Sequence, residues 1–388
     1  MKIDSCQICS SKNLHKQINL KKFPLTGIFY KKKKKINFKS NYDQSLKNCK
    51  DCGHLQLENF IDPKILYNNM YANRTSQNHL SENAMNFFSN CFNKITKKKL
   101  DSILEIGSND LKFANHLLPK CKTYYAVDPI WIGKRKKIGK KIRVFGSYIE
   151  NFSFKKNIKK PLDALISTHN LEHIGDPIKV LREAVKYIKP DGHIFIEVPD
   201  ADLMIKNLRF DQVFHQHYHY FNINSLSNIA EKINCKIITK TINYKYWGGS
   251  LLVVMQKKKN SLDKPVKSNF LSISKKIKKN YSKFKDKYKV LKKKLKKDKN
   301  RLYGYGAGQM TPSFAYHLKS NLSFLNFIID DNPKRNNYKY FNLSPKIFFK
   351  DKKKVKSNFV ALITALDGTN PISKKLRKNN YKYINPLR

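Results

Sequence analysis

Residues 101–110 read DSILEIGSND, and the helical spacing of LKFANHLL (111–118) follows at once. The apolar run is short enough for a strand covered on both faces, and Gly107 interrupts it just where the periodicity changes. A glycine between a buried strand and a helix lets backbone N–H groups and the helix N-terminus approach a ligand closely. Asp128 ends the next strand-like run, TYYAVDP (123–129), 23 residues beyond Glu105. An acidic side chain there can accept hydrogen bonds from ribose hydroxyls. The turn Glu105-x-Gly107-x-Asn109 lacks the three-glycine fingerprint of a pyrophosphate cradle. A plain turn glycine and a salt-bridging glutamate remain the simpler alternative.

Outward from this turn, strands and helices alternate. DALISTH (163–169) and HIFIEVP (193–199) read as further strands, KIRVFG as a short one, and DPIKVLREAVKYI (176–188) as an amphipathic helix. This alternation predicts an α/β fold with a parallel sheet wound by right-handed crossovers. CKIITKTIN (235–243) and SLLVVMQK (250–257) then predict an antiparallel pair closing the sheet. Before the sheet, SENAMNFFSNCFNKITKK predicts a helix capped by Ser81. Beyond it, the lysine-rich run to residue 298 predicts a long exposed helix, and RLYGYGAGQ (301–309), FLNFIIDDNP (324–333) and NFVALITALD (358–367) predict a small second Rossmann-like unit. The expected division is residues 1–75, 76–258 and 259–388.

Cys6 and Cys9 form one C-x2-C unit, and Cys49 and Cys52 another, with 39 residues between the pairs. Two such pairs predict a closed tetrahedral thiolate site for a structural zinc ion. The other three of the seven cysteines stand alone and read as small core residues. A net charge of +51 would suggest a polyanion partner, but lysine far outnumbers arginine and is spread through nearly every segment, so a solvated lysine surface is expected and no nucleic acid. No apolar run is long enough for a membrane span and the N-terminus has no apolar signal core, so a cytoplasmic enzyme without membrane contact is expected.

FDQVFHQHYHYF (210–221) spaces His215, His217 and His219 two apart. On a strand they would share one face. No nearby carboxylate completes a ligand set, so a metal site is the least favoured reading beside a buried polar face and a catalytic or substrate-binding role.

Taken in order, LEIGSND, VDP, THNLEHIGDP, FIEVPD, the H-x-H stretch, GGSLLV and GYGA, behind a four-cysteine start and NLKKFPLTGIF, resemble the nucleotide-sugar C-methyltransferases over essentially the whole chain. The resemblance implies a class I methyltransferase sheet between a zinc-binding module and a C-terminal Rossmann-like domain. It implies S-adenosylmethionine as cofactor, with Glu105, Gly107, Asn109, Asp128 and His169 around it. It also implies a nucleotide-linked deoxysugar as substrate, methylated at a ring carbon beside a keto group. The matched catalytic positions are His217, as general base, His173 and Gln216; Tyr71, Phe214 and His215 match substrate-binding positions. Phe214 and Gln216 stand where the family has Tyr and Glu, and Leu111 stands where its cofactor turn has Gly. An active methyltransferase acting on carbon, oxygen or nitrogen, a non-catalytic nucleotide-sugar-binding protein and a nucleic-acid methyltransferase all remain open at this point.

Overall fold

The computed structural model describes residues 1–31, 39–67, 75–77, 81–134, 137–138, 141–245, 248–258, 268–297 and 301–388. Its centre is an eight-stranded sheet. In spatial order the strands are Cys235–Asn243, Ser250–Lys257, Ile188–Pro199, Leu162–Thr168, Leu100–Ile106, Cys121–Val127, Ile142–Phe145 and Lys137–Ile138. The five strands from Ile188–Pro199 to Ile142–Phe145 are parallel. Ser250–Lys257 lies antiparallel between Ile188–Pro199 and Cys235–Asn243, the arrangement of the class I methyltransferase fold. Helices cover both faces. Phe88, Phe92 and Phe113 pack on Ile103, Tyr124, Ile166 and Phe195, while Leu181, Leu226 and Ile229 pack on Leu104, Leu165 and Ile196. A strand covered on both sides must be apolar at successive positions, which is why SILEI carries no alternation.

The N-terminal module is a strongly bent hairpin, Leu14–Pro24 against Asn41–Cys49, extended by Leu55–Leu57. Its fourth strand, His219–Tyr220, comes from far along the chain and pairs antiparallel with Leu55–Leu57. Thus the H-x-H stretch completes the zinc module's sheet. Around that strand, Thr26 Oγ1 donates to Gln216 Oε1 at 2.7 Å and Gln216 Nε2 donates to the Thr26 carbonyl at 3.0 Å. His215 Nε2 meets the Phe23 carbonyl at 3.1 Å, and Tyr218 Oη donates to the Ile61 carbonyl at 2.5 Å.

The C-terminal unit is a five-stranded parallel sheet, ordered Ile347–Phe349, Ile328–Asp330, Leu302–Tyr305, Val360–Ile363 and Tyr383–Ile384. A 28-residue helix, Phe270–Lys297, leads into it and buries Ile273, Ile277, Phe284, Tyr288, Leu291 and Leu295 along one stripe. It is therefore not wholly exposed, as its lysines suggested: spacing of three and four turns these residues to one side, and the lysines keep the other. The turn after Leu302–Tyr305 closes on itself, because Ala307 N–H donates to Asp330 Oδ2 at 2.6 Å. Cβ atoms at Gly306 and Gly308 would lie 2.5 and 2.9 Å from Ala365. These glycines serve close packing rather than a phosphate. Arg209 clamps this unit to the central domain, bidentate to Asp211 at 2.9 Å and bonded to Asp367 at 2.6 Å.

Ser81 opens the helix Ser81–Ile95, and its hydroxyl donates to the Thr75 carbonyl at 3.0 Å.

Burial pushes the His215 imidazole down to about 4. The unfolded chain takes up that proton below about pH 6.5 and the folded one only below about 4, so stability is complete at pH 7 and is lost as pH falls through this window. His215→Gln should flatten the acid limb of a urea-midpoint profile between pH 7 and 4, by about 3 kcal/mol at its lower end. An unchanged profile would mean that this histidine is not buried neutral.

Candidate active site and metal centre

Strand pairing solves the long gap between the two cysteine pairs, since Leu14 lies opposite Cys49. Each pair ends in the same knuckle. Ser10 N–H returns to the Cys6 carbonyl at 2.8 Å and Gly53 N–H to the Cys49 carbonyl at 2.9 Å, with Ser10 and Gly53 both at positive φ. The sulfurs of Cys6 and Cys52 lie 3.6 Å apart, and those of Cys9 and Cys49 3.5 Å. All four fall within 4.8 Å of one another. Zinc–sulfur bonds of about 2.3 Å place tetrahedral sulfurs about 3.8 Å apart, so the four thiolates fit a zinc ion with no fifth position.

At the carboxyl end of the central strands lies a cavity. One side is Gly107, Ser108 and Asn109 with Glu105 beneath; another is Met85, Phe88 and Phe113; a third is His169, Glu172, His173, Glu197 and His217. Gln309, from the C-terminal unit, and Thr75 also reach it. Gly107 has φ +79°, and a Cβ there would lie 2.4 Å from the Asn170 amide. Only glycine fits. The turn around it is strained, with Asn109 at φ +44°, Leu111 at +66° and His169 at +48°. Leu111, where the resemblance has glycine, thus occupies a left-handed conformation that costs a branched side chain about 1–2 kcal/mol. Its side chain is buried in compensation.

Asp128 accepts the Asn109 N–H at 2.8 Å through Oδ2 and the Ile130 N–H at 2.9 Å through Oδ1. It holds the turn from the next strand. Glu105 accepts the Tyr124 hydroxyl at 2.9 Å, and burial pushes its carboxyl up to about 8. This turn fits the nucleoside end of S-adenosylmethionine: the glycine allows close approach, no phosphate cradle is present, and an acidic residue stands at the second strand.

The third wall was only half legible in the sequence. His173 and His169 line it as expected, but so do Glu172 and Glu197, which sequence reasoning did not assign. Glu172 sits beside His173 in LEHI, and Glu197 is the polar residue within the otherwise apolar FIEVP strand. His169 lies between the two carboxylates, its Nε2 3.6 Å from Glu197 Oε1 and its Nδ1 3.8 Å from Glu172 Oε1. Burial draws this imidazole down, and the two carboxylates more than offset it. Burial pushes Glu172 up to about 7 and His173 down to about 4.

The three histidines of residues 215–219 do not share a face. A turn, with His217 N–H on the Phe214 carbonyl at 3.1 Å, breaks the strand before it begins at His219. His215 therefore points into the N-terminal module. His217 packs against Phe214, with ring centres 4.2 Å apart and the planes tilted by 44°, and enters the cavity. His219 donates to the Ile174 carbonyl at 2.9 Å and meets His54 at 3.1 Å. Gln216, expected to be catalytic, is committed to Thr26, and Phe214 and His215 are buried away from the cavity lining. Tyr71, expected to bind substrate, lies outside the described residues. The carboxylate that local sequence failed to supply comes from elsewhere: Glu172 Oε1 lies 3.8 Å from His217 Nε2.

Family models match two stretches of the chain, a methyltransferase domain over residues 76–240 and a zinc binding domain over residues 6–67. The C-methyltransferase NovU of Streptomyces niveus is 22% identical over 270 residues, 65% of this chain and 60% of its own length. The chain thus spans about 60% of that relative. Among solved structures, the N-methyltransferase NodS of Bradyrhizobium japonicum with S-adenosyl-L-homocysteine covers 47% of this chain and 89% of its own, at 16% identity and a TM-score of 0.37. A Leishmania major S-adenosylmethionine-dependent methyltransferase covers 46% and 73%, at 10% identity and a TM-score of 0.38. Among the described residues no helix is long and apolar enough to cross a membrane.

Two measurements check this site. Metal analysis should give one zinc per chain, and Cys49→Ser should lose it together with several kcal/mol of stability in the N-terminal module; undiminished zinc in that variant would contradict the thiolate assignment. Asp128→Ala should weaken S-adenosylmethionine binding by about 1.5–3 kcal/mol by calorimetry, and an unchanged affinity would remove Asp128 from the cofactor site.

Proposed function

Starting from a chain in which residues 76–240 are a methyltransferase domain behind a zinc-binding domain at residues 6–67, we propose that it transfers the methyl group of S-adenosylmethionine to a nucleotide-linked sugar, at a ring carbon beside a keto group. One observation carries this reading. The Gly107 turn and a wall of imidazoles and carboxylates line the same cavity, so a nucleoside-bearing sulfonium on the turn would present its methyl toward groups able to hold a proton. The match to a protein named as a C-methyltransferase supports carbon as the acceptor.

Bound S-adenosylmethionine supplies an electrophilic methyl group on sulfur. The chain's own residues do the rest. Gly107 allows close approach, Asp128 offers carboxylate lone pairs to the ribose, and Met85, Phe88 and Phe113 keep water from that side. A carbon acceptor must lose a proton before it can attack, and the 4-keto group of the sugar acidifies the neighbouring C–H. The proton passes to the wall formed by His169, Glu172, His173 and His217, within hydrogen-bond reach of an acceptor in the cavity. His173 Nδ1 lies 2.6 Å from the Gln216 carbonyl and 2.9 Å from the Tyr67 hydroxyl; the carbonyl is the nearer and can only accept, which favours the hydrogen on Nδ1 and the lone pair on Nε2. Gln216 thus acts through its backbone, not its side chain. Gln309 brings the C-terminal unit to the cavity edge, where the nucleotide end of a long substrate would lie. An oxygen or nitrogen acceptor would use the same wall, and the reading on carbon is distinguished by the product.

His217→Asn should lower methylation of a nucleoside diphosphate 4-keto sugar by roughly a hundredfold while leaving S-adenosylmethionine affinity unchanged. Full activity in that variant, or binding of the cofactor with no transfer to any nucleotide sugar, would refute the proposal.

A further inference from the structure

Glu172 is 1% exposed, and neither carboxylate oxygen has a hydrogen-bond donor. A buried carboxylate without donors is costly, because nothing replaces the water it lost. Its Oε1 instead faces three ring nitrogens, at 3.9 Å from His173 Nε2, 3.8 Å from His217 Nε2 and 3.8 Å from His169 Nδ1. The first of these is a lone pair, since the hydrogen of His173 is held at Nδ1 by the Gln216 carbonyl at 2.6 Å. A carboxylate oxygen and an imidazole lone pair do not attract each other, so the arrangement calls for positive charge between them, either a proton or a metal cation. The ligand atoms of Glu172, His173 and His217 lie within 4.8 Å of one another.

We propose that Glu172, His173 and His217 bind a divalent first-row transition metal ion in the cavity, separate from the zinc of the four cysteines. Two imidazoles and one carboxylate form a set suited to iron, cobalt, manganese or zinc, and three protein ligands leave positions open. Metal–ligand bonds of about 2.0–2.2 Å place tetrahedral ligand atoms about 3.4 Å apart, so the three tips would draw together by up to about 1.5 Å. The backbone carbonyl on the far nitrogen of His173 is the orienting partner that metal-bound histidines generally have. Phe214, packed against it with ring centres 4.2 Å apart, holds the ring of His217 in turn. The cysteine site is closed, whereas this one opens onto the Gly107 turn. Its purpose rests on the methyl-transfer reading: the open positions would hold an acceptor oxygen next to the reacting atom, leaving His169, backed by Glu197 at 3.6 Å, to take the proton. Its existence does not depend on that reading.

The test uses the full chain, stripped of loosely held metal and then dialysed against excess Co2+ or Mn2+, with metal content and S-adenosylmethionine binding measured on the same samples. The wild type should retain one zinc and take up one further ion. His217→Asn and the near-isosteric Glu172→Gln should keep the zinc, as a sign that they are folded, and bind the further ion at least tenfold more weakly. A wild type holding zinc alone, or a further ion bound equally by both variants, would overturn the proposal. Cofactor binding with zinc alone would overturn the second metal site and spare the methyl-transfer reading. A further ion with no cofactor binding would do the reverse.

Discussion

The backbone of one residue, Tyr218, ties this protein's modules to its cavity. Its carbonyl accepts the Leu57 N–H at 2.8 Å, and its own N–H donates to the Glu172 carbonyl at 2.8 Å. The first bond extends the zinc module's sheet and the second fixes the loop after the fourth parallel strand. His217 is carried between them. Any shift of the N-terminal module relative to the central sheet would therefore separate His217 from Glu172, which gives the zinc site a reason to exist far from the chemistry. Four thiolates on one ion rigidify the hairpin whose edge strand holds residues 216–220 in register.

Around that link the protein accepts local costs. Asn109, Leu111 and His169 all take left-handed backbone, and Glu105, Glu172 and Glu197 are each about 1% exposed. Strain and buried acidic groups of this kind persist only where the surrounding structure imposes them. Here they surround one cavity, and no comparable cluster of acidic and imidazole groups occurs in the C-terminal unit among the described residues. That unit keeps its acidic turn residue, Asp330, bonded to Ala307, which makes its glycine turn a packing device.

The C-terminal unit is held by apolar packing along Phe270–Lys297 and by the Arg209 clamp. Arg209 is 4% exposed and has carboxylates from both sides, Asp211 and Asp367. A buried guanidinium paired with carboxylates of two units specifies geometry more than it adds stability. Here it fixes the edge from which Gln309 reaches the cavity.

The sequence by itself determined the strand–turn–helix at Gly107, the parallel sheet with its antiparallel pair, and the four zinc ligands, because each rests on local periodicity or on residue types with one common use. Its reading of residues 210–221 was less complete. Period-two spacing put three histidines on one strand face, yet the turn at Phe214–His217 sends them in three directions, and no local pattern encodes that turn. Gln216 was legible as a family position but not as a partner of Thr26, since that bond spans modules. Glu172 was hidden for the opposite reason: a glutamate beside a histidine is unremarkable until folding removes its water and supplies no donor. Only the tertiary structure brought Glu172, His173 and His217 to one point, because their proximity depends on a strand from the methyltransferase domain completing the sheet of another module.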